Sequence, residues 1–420
     1  MIKTLKTTGK ITGTAMGLIF VAGAAFAAPS CGANTGEAAT GTPIKVGGIH
    51  GNAAPGDFSS STTAAGAYFD CVNANGGING RPIEYLVEND QWNPELASQA
   101  ASKLVVDEDV VALVGNGSFV EMSVNSGFYK EQNVMTMASA CAASECFESS
   151  NIVSTNQGPL PSSIGAAMYM VEEKGAQNVS CIALTIPNSG PWSCGAAVEY
   201  MESKGLSGTG VYLNPASPDV NSGLLEAIAS GADTIIVNLP AGLGIAVLKA
   251  AEEQGLGDAY QWASSTPLYD RDVPGALGDY WDGKLYVSAE MTPWDKGGED
   301  ATNWLAVMDA YGDAKDPRDS FSQAGFLSAK IFVDTLLGMD PADLDDRAKV
   351  TEAITAINGY ESDLVCGPFY VGEADRHMPN HAGTMVVVKD GGFETVRDCF
   401  EYDSPYFAPI FEQEAALGLR

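Results

Sequence analysis

An alternation of short apolar strands with amphipathic helices runs twice through this chain, and it constrains the fold more than any other feature. Ile44 to Ile49 reads as a buried strand. The segment after it sets Ala65, Tyr68, Phe69 and Val72 at helical spacing until Asn75-Gly76-Gly77 stops it. Ile83 to Glu88 is the next strand, Pro94 opens a helix with Leu96, Ala100 and Leu104 on one face, and Val110 to Val114 is strand again. The cycle resumes with strands at Val179 to Leu184, Gly210 to Leu213 and Thr234 to Val237. Helices are expected near Ala196 to Ser203, Ser222 to Ala229 and Gly244 to Gln254. Strands alternating with helices of this length predict parallel sheets. Two successive sets predict an α/β protein of two doubly wound lobes, each with its binding face at the carboxyl ends of its strands. A chain of 420 residues is also too long for one ordinary core.

The first residues carry a different signal. Lys3, Lys6 and Lys10 precede an uncharged stretch from Ile11 to Ala25 that ends in Ala25-Phe26-Ala27, which reads as a secretory signal peptide over residues 1–27, cleaved after Ala27. The apolar run is broken by Thr12, Gly13, Thr14, Gly17 and Gly23 and falls short of the ~20 residues a spanning helix needs. Cys31 raises a lipid-modified cysteine as the alternative, but Ala28-Pro29-Ser30 lacks the usual leucine and sets proline badly, so a plain signal is the reading taken. No later apolar stretch is long enough to span a bilayer, and a released periplasmic or otherwise extracytoplasmic protein is expected.

Losing the three signal lysines takes the formal charge from −31 to −34. Nucleic acid is excluded as a partner, because phosphate binding needs a basic surface. Eight cysteines in an exported chain imply disulfides. Sequence does not give the pairing, but Cys141 and Cys146 are close, Cys181 and Cys194 flank a strand-to-helix turn, and Cys366 and Cys399 bracket the C-terminal strands. Cys31 and Cys71 are left. No Cys-x-x-Cys occurs, and Pro379 spoils a shared helical face for His377 and His381, so neither a metal nor a cofactor is expected.

Enzyme motifs fail in turn. Pro191-Trp192-Ser193-Cys194-Gly195 has proline where a nucleophile elbow needs its first glycine. Gly115-Asn116-Gly117 follows a strand, yet Val120 replaces the third glycine of a dinucleotide fingerprint, and no phosphate loop exists.

Four stretches carry a family resemblance. Asn75-Gly76-Gly77-Ile78-Asn79-Gly80-Arg81-Pro82-Ile83 resembles the turn after the first helix of the branched-chain amino-acid binding proteins, the type I periplasmic binding proteins of ABC importers. Glu88-Asn89-Asp90, Pro94, Lys103-Leu104-Val105 and Val111-Ala112-Leu113-Val114-Gly115 resemble its next βαβ unit. Cys366-Gly367-Pro368-Phe369-Tyr370 and Val388-Lys389-Asp390-Gly391-Gly392-Phe393 resemble its closing strand and hairpin. The resemblance spans residues 42 to 400. It implies three crossings between lobes, near residues 157, 289 and 377, with lobe 1 as 42–157 plus 290–377 and lobe 2 as 158–289 plus 378–410. It further implies hinge closure on a small-molecule ligand by a monomer that serves the permease subunits of an ABC importer.

In that family two loops of the first lobe hold an amino acid's carboxylate. Here they supply Ser118, Phe119, Ser139, Ala140, Cys141 and Ala142, with Phe119 at a family serine position and Ala142 at a family threonine position. Thr266 stands where the family has a glutamate for the ligand ammonium, and Trp192 where it has a tyrosine. Phe58 and Trp294 add apolar area, and Asn238 follows the strand Thr234 to Val237. The implied ligand is a small amphipathic molecule, an aromatic or aliphatic carboxylate or amide ahead of a branched-chain amino acid. A ligand-sensing receptor for a membrane kinase is the alternative of another class, and it needs either a downstream spanning segment, which is not found in this sequence, or a partner kinase.

Overall fold

The computed structural model describes residues 1, 28–53, 56–118, 120–186, 188–372 and 376–420. The expected signal peptide lies outside the described residues, as does Phe119.

The doubly wound α/β architecture is the one observed. The first lobe contains β1 (Ile44–His50), the short hairpin β2 (Asn52–Ala53) and β3 (Gly56–Asp57), β4 (Ile83–Asn89), β5 (Leu113–Asn116), β6 (Thr136–Ala138) and β7 (Ile152–Ser154). Its sheet runs β4-β1-β5-β6-β7 with every pair parallel. Parallel neighbours need crossover helices, supplied here by Ser59–Ala74, Pro94–Ser102 and Glu121–Glu131. Covered on both faces, β5 is buried along its whole length. The strand order reverses at β1, which lies between β4 and β5, so the crevice beyond the ends of β1 and β5 is the switch point.

The second lobe contains β8 (Asn178–Leu184), β9 (Ser207–Leu213), β10 (Thr234–Val237), β11 (Gln261–Ser264), β12 (Leu285–Ala289), β13 (Ala382–Lys389) and β14 (Gly392–Glu401). Its order is β14-β13-β12-β11-β10-β8-β9. The pairs from β12 to β9 are parallel, whereas β13 and β14 pair antiparallel. Asp390 and Gly391, at φ 48° and 75°, form the two-residue turn that this hairpin needs. Glu394, Arg397 and Asp398 keep the outer strand polar, as an edge requires.

Helix Pro159–Lys174 packs on β11, β12 and β13, and after β12 the chain returns to the first lobe. There helices Glu299–Tyr311 and Ser320–Leu337 bury Trp304, Phe326 and Phe332 with Tyr68 and Phe69. No helix among the described residues is long and apolar enough to cross a membrane.

The cysteines pair as Cys31–Cys71, Cys141–Cys146, Cys181–Cys194 and Cys366–Cys399. Cys31 is therefore engaged in a bridge, which leaves its sulfur unavailable for the lipid considered above. The protein's mass before reduction should be eight hydrogens below its reduced mass. Opening Cys31–Cys71, a separation of 40 residues, should lower unfolding free energy by about 2–4 kcal/mol. A free-thiol titration with signal at any of the eight would contradict the pairing.

Candidate ligand-binding cleft

Between the carboxyl ends of the two sheets lies a narrow cleft, about 40 Å³ of enclosed cavity and about 480 Å³ when all free space out to its open mouth is counted. The first lobe contributes Phe58 after β1, Cys141 and Ala142 after β6, Asn156 after β7, and Phe321 from the helix Ser320–Leu337. The second contributes Leu184 and Ser189 at the end of β8, Asn238 and Pro240 after β10, and Pro267 after β11. Phe58 packs edge-on to Trp92 at 5.2 Å and against Phe321 at 4.8 Å. Ile186 of the second lobe closes on this apolar cluster of Phe58, Ala140 and Ala142.

The polar atoms of the wall are mostly spoken for. The Asn238 amide donates to Ser193 Oγ at 2.6 Å, and its carbonyl accepts from Ser265 Oγ at 2.7 Å. Asn156 Oδ1 accepts from the Cys141 N–H at 3.1 Å, and its amide donates to the Cys141 carbonyl at 3.2 Å. Ser193, the serine of the imperfect elbow, also donates to the Gly190 carbonyl, which leaves it structural.

Among the described residues one titratable group lines the cleft, and it is Glu290, 2% exposed. It stands one residue past β12, where the three inter-lobe segments meet. Its carboxylate accepts the Gly158 N–H at 3.1 Å from the first segment. Its own N–H donates to Thr266 Oγ1 at 3.0 Å, and its carbonyl accepts from Asn380 of the third segment at 3.4 Å. Burial pushes its carboxyl up to about 7, against hydrogen bonds that favour the charged form. Sequence reading missed it. The only signal is a lone acid directly after the apolar strand Leu285–Ala289.

Of the residues expected from sequence, the cleft brings together Phe58, Cys141, Ala142 and Asn238, with Ala140 packed behind. The other described ones lie elsewhere. Ser118 Oγ donates to Asp90 and accepts the Val120 and Glu121 N–H groups at 3.1 Å, so it caps a helix instead of facing a ligand. Ser139 Oγ is 2.7 Å from Ser328 Oγ, inside the lobe. Thr266 donates to the Ser288 carbonyl at 2.8 Å and supports Glu290 from behind. Trp294 stacks on Tyr269 at 4.2 Å, and Trp192 stacks on Phe147 at 5.8 Å across the lobe interface. His377 Nδ1 meets the Val371 carbonyl and His381 Nε2 meets Glu414, both at 2.6 Å. No group of three metal-ligating side chains is assembled among the described residues.

Outside the cleft, a vestibule of about 720 Å³ shares Phe58, Pro240, Pro267 and Phe321 with it. Its charges are acidic: Asp57 and Asp319 from the first lobe face Asp270 from the second. Burial, with the negative charge of Asp270 opposite, raises the Asp319 carboxyl to about 6. Beside the Phe147–Trp192 stack, the Ser144 N–H donates to the Asn188 carbonyl at 2.8 Å, and the Asn188 amide to Glu145 at 2.6 Å, so the lobes are drawn together at this edge.

The family model described as periplasmic binding protein matches residues 43–392. No curated protein matches the chain in sequence. Among solved structures it is similar to a solute-binding protein of an ABC transporter from Rhodopseudomonas palustris in complex with p-hydroxybenzoic acid. That likeness has 19% identity and a TM-score of 0.73, over 86% of this chain and 98% of that one. It is similar to a fatty acid ABC transporter substrate-binding protein from Thermomonospora curvata, with 18% identity, a TM-score of 0.73, and coverage of 88% and 95%. A third is a branched-chain amino acid transporter substrate-binding protein from Streptococcus pneumoniae in complex with isoleucine, with 14% identity, a TM-score of 0.70, and coverage of 86% and 100%. At such identities the structural likeness speaks for the fold. The family match spans most of the sequence, and with two parallel-sheet lobes facing each other across a cleft at their strand ends, the chain belongs to the periplasmic binding protein family.

Proposed function

We propose that this protein captures a small amphipathic organic molecule between lobes 42–157 plus 290–377 and 158–289 plus 378–410, and delivers it outside the cytoplasm to the permease subunits of an ABC importer. The observation that carries the reading is the cleft itself, apolar over most of its wall and placed where the strand ends of both lobes converge. Phe58, Ala142, Leu184 and Phe321 would cover the ligand body, and Asn156, Ser189, Asn238 and Glu290 would meet its polar head. Capture by hinge closure follows from three connecting segments that meet at one point, with ligand binding the closed state more tightly.

Of the heads expected from the sequence, the amide is better served than the carboxylate. Among the described residues no lysine, arginine or histidine lines the cleft, so a bound carboxylate would lie without a cationic partner there.

A cognate ligand should raise the melting temperature and be recovered unchanged, since it binds the folded state only. At a hundredfold excess over Kd the gain is ~2.7 kcal/mol. Thermal-shift screening with a metabolite panel, followed by mass analysis of the recovered ligand, tests this. Conversion of the ligand would overturn the assignment to transport.

A further inference from the structure

We propose that Glu290 is the specificity determinant of the cleft, selecting an apolar ligand whose head bears N–H donors over the isosteric carboxylate. This selection rests on solute capture between the lobes and names the chemical class captured.

Three observations converge on it. First, among the described residues the wall of the cleft holds a single ionisable side chain, and that side chain accepts hydrogen bonds or bears negative charge. The Gly158 N–H donates to it. The Asn156 and Thr266 side chains and the Gln157 backbone also hydrogen-bond toward it, all of them neutral groups, so a ligand donor competes with them for its lone pairs and adds to a charge they leave unbalanced. Second, Asn238 is committed to Ser193 and Ser265, and Asn156 to Cys141, which leaves the Ser189 hydroxyl as the other polar group of the wall. A neutral hydroxyl both donates and accepts, so it does not tell an N–H head from a carboxylate, and the discriminating contact falls to Glu290. Third, the approach is acidic. Asp57, Asp270 and Asp319 line the vestibule, so an anion is repelled before it reaches the cleft, a neutral amide passes, and an ammonium is drawn in.

The position of Glu290 adds a mechanical consequence. Gly158 of the first segment holds its carboxylate, while Thr266 after β11 and Asn380 of the third segment hold its backbone, so a ligand donor on the carboxylate bears on the junction where these segments meet. An ionised ligand carboxylate would instead set two negative charges within a few ångströms in a dry cleft. That arrangement is tolerated only when one of them takes up a proton.

Groups facing Glu290 carry no charge of their own at neutral pH. They are Asn156, Gln157 and Gly158 from the first segment, Thr266 from the loop after β11, Asn380 from the third segment, and Tyr402 after β14. Burial pushes the Tyr402 phenol up, which keeps it neutral. Asp319 of the vestibule, raised to about 6, titrates in the same range, so a pH effect near 7 is assigned to Glu290 by its loss in Glu290→Gln.

The test uses the full mature protein and two matched series. One is benzylamine, benzamide and benzoate; the other is isopentylamine, isovaleramide and isovalerate. Affinities are measured by calorimetry at pH 5.5 and pH 8.5. The expected result is that, in at least one series, an N–H-bearing member binds tenfold or more tightly than the carboxylate at pH 8.5. Amine and amide separate by pH: amine affinity rises from pH 5.5 to 8.5 as Glu290 ionises, while amide affinity changes little. Glu290→Gln should cut amine binding at least tenfold and remove the part of its pH dependence centred near 7, leaving that of Asp319 near 6. Should that variant not fold, the head-group ratio of the wild-type protein and its pH dependence still decide. Carboxylates bound as tightly as the N–H-bearing members, or no binding by the N–H-bearing members of either series, overturns the selection. Carboxylate binding without conversion would leave solute capture standing, whereas conversion of a probe would remove solute capture itself.

Discussion

The urea unfolding midpoint should fall steadily as the pH is raised from about 5 to about 9. Three carboxyls lie fully inside the fold with raised values: Glu121 at about 8, Glu290 at about 7 and Asp319 at about 6, burial being the largest cause in each. In an unfolded chain such groups titrate near 4. Between the two values the folded state holds protons that the unfolded state has released, so the unfolding free energy falls as pH rises. This contribution is complete below about pH 4 and is lost as pH passes through the folded values. Glu121 alone, shifted by about three units at ~1.4 kcal/mol each, accounts for a loss on the order of 4 kcal/mol. Its surroundings explain why. Tyr129 and the Asn116 amide both donate to Oε1, but Oε2 is buried without a partner, and the charge of Asp90 lies near. Carboxyls with lowered values, such as Asp219, Asp345 and Asp398, are exposed and screened, and they act in the opposite sense only below about pH 4. The formal charge of −31 adds self-repulsion in the same direction as the buried acids. Glu121→Gln should flatten the profile by roughly the share given for Glu121. A midpoint that climbs between pH 5 and pH 9 would contradict the burial of all three.

How far the sequence disclosed this fold depended on element length. Strands of four to seven residues with apolar runs, such as Ile44–His50 and Thr234–Val237, were legible because parallel strands are buried on both faces. Thr136–Ala138 and Ile152–Ser154 have three residues each, too few to show a period, and they went unread. Val110 was expected in a strand that starts at Leu113, because the Arg347 side chain, 237 residues away, takes the Val110 carbonyl out of the ladder. The helix expected near Ala196 begins at Gly190, with Pro191 in its first turn. In the cleft, the loops were identifiable but side-chain direction was not. Ser118 looks like a ligand hydroxyl until Asp90 and two backbone N–H groups claim it. Glu290 is harder still. Its surroundings are assembled from residues 158, 266 and 380, and no local pattern brings them together.

Gly325→Ala should destabilise the protein, although alanine is the better helix former. The helix Ser320–Leu337 crosses Ser59–Ala74 so closely that a Cβ on Gly325 would lie 2.0 Å from the Ser61 carbonyl oxygen and 2.9 Å from the Ser61 Cα. These are backbone atoms, which cannot swing aside, so the helices must separate. Intrinsic propensity favours alanine by about 1 kcal/mol, while overpacking a dense contact costs about 1–3 kcal/mol and more when backbone must move. The contact is dense: Phe326 meets Tyr68 edge-on at 5.1 Å, and Phe69 lies 6.2 Å from Phe332. A net loss of about 2 kcal/mol is expected. Gly127 supplies the control, since it is exposed in the helix Glu121–Glu131 and a Cβ there meets nothing within 4 Å. Gly127→Ala should therefore be neutral or stabilising by up to ~1 kcal/mol. The same pair of helices carries Phe321 and Phe58 to the cleft, 4.8 Å apart, so separating them loosens the apolar wall. Ligand affinity in Gly325→Ala should fall about tenfold, the equivalent of ~1.4 kcal/mol, while Gly127→Ala keeps it unchanged. Equal stability of the two variants in denaturant titrations would mean that the helices do not approach as closely as the packing around Ser61 indicates.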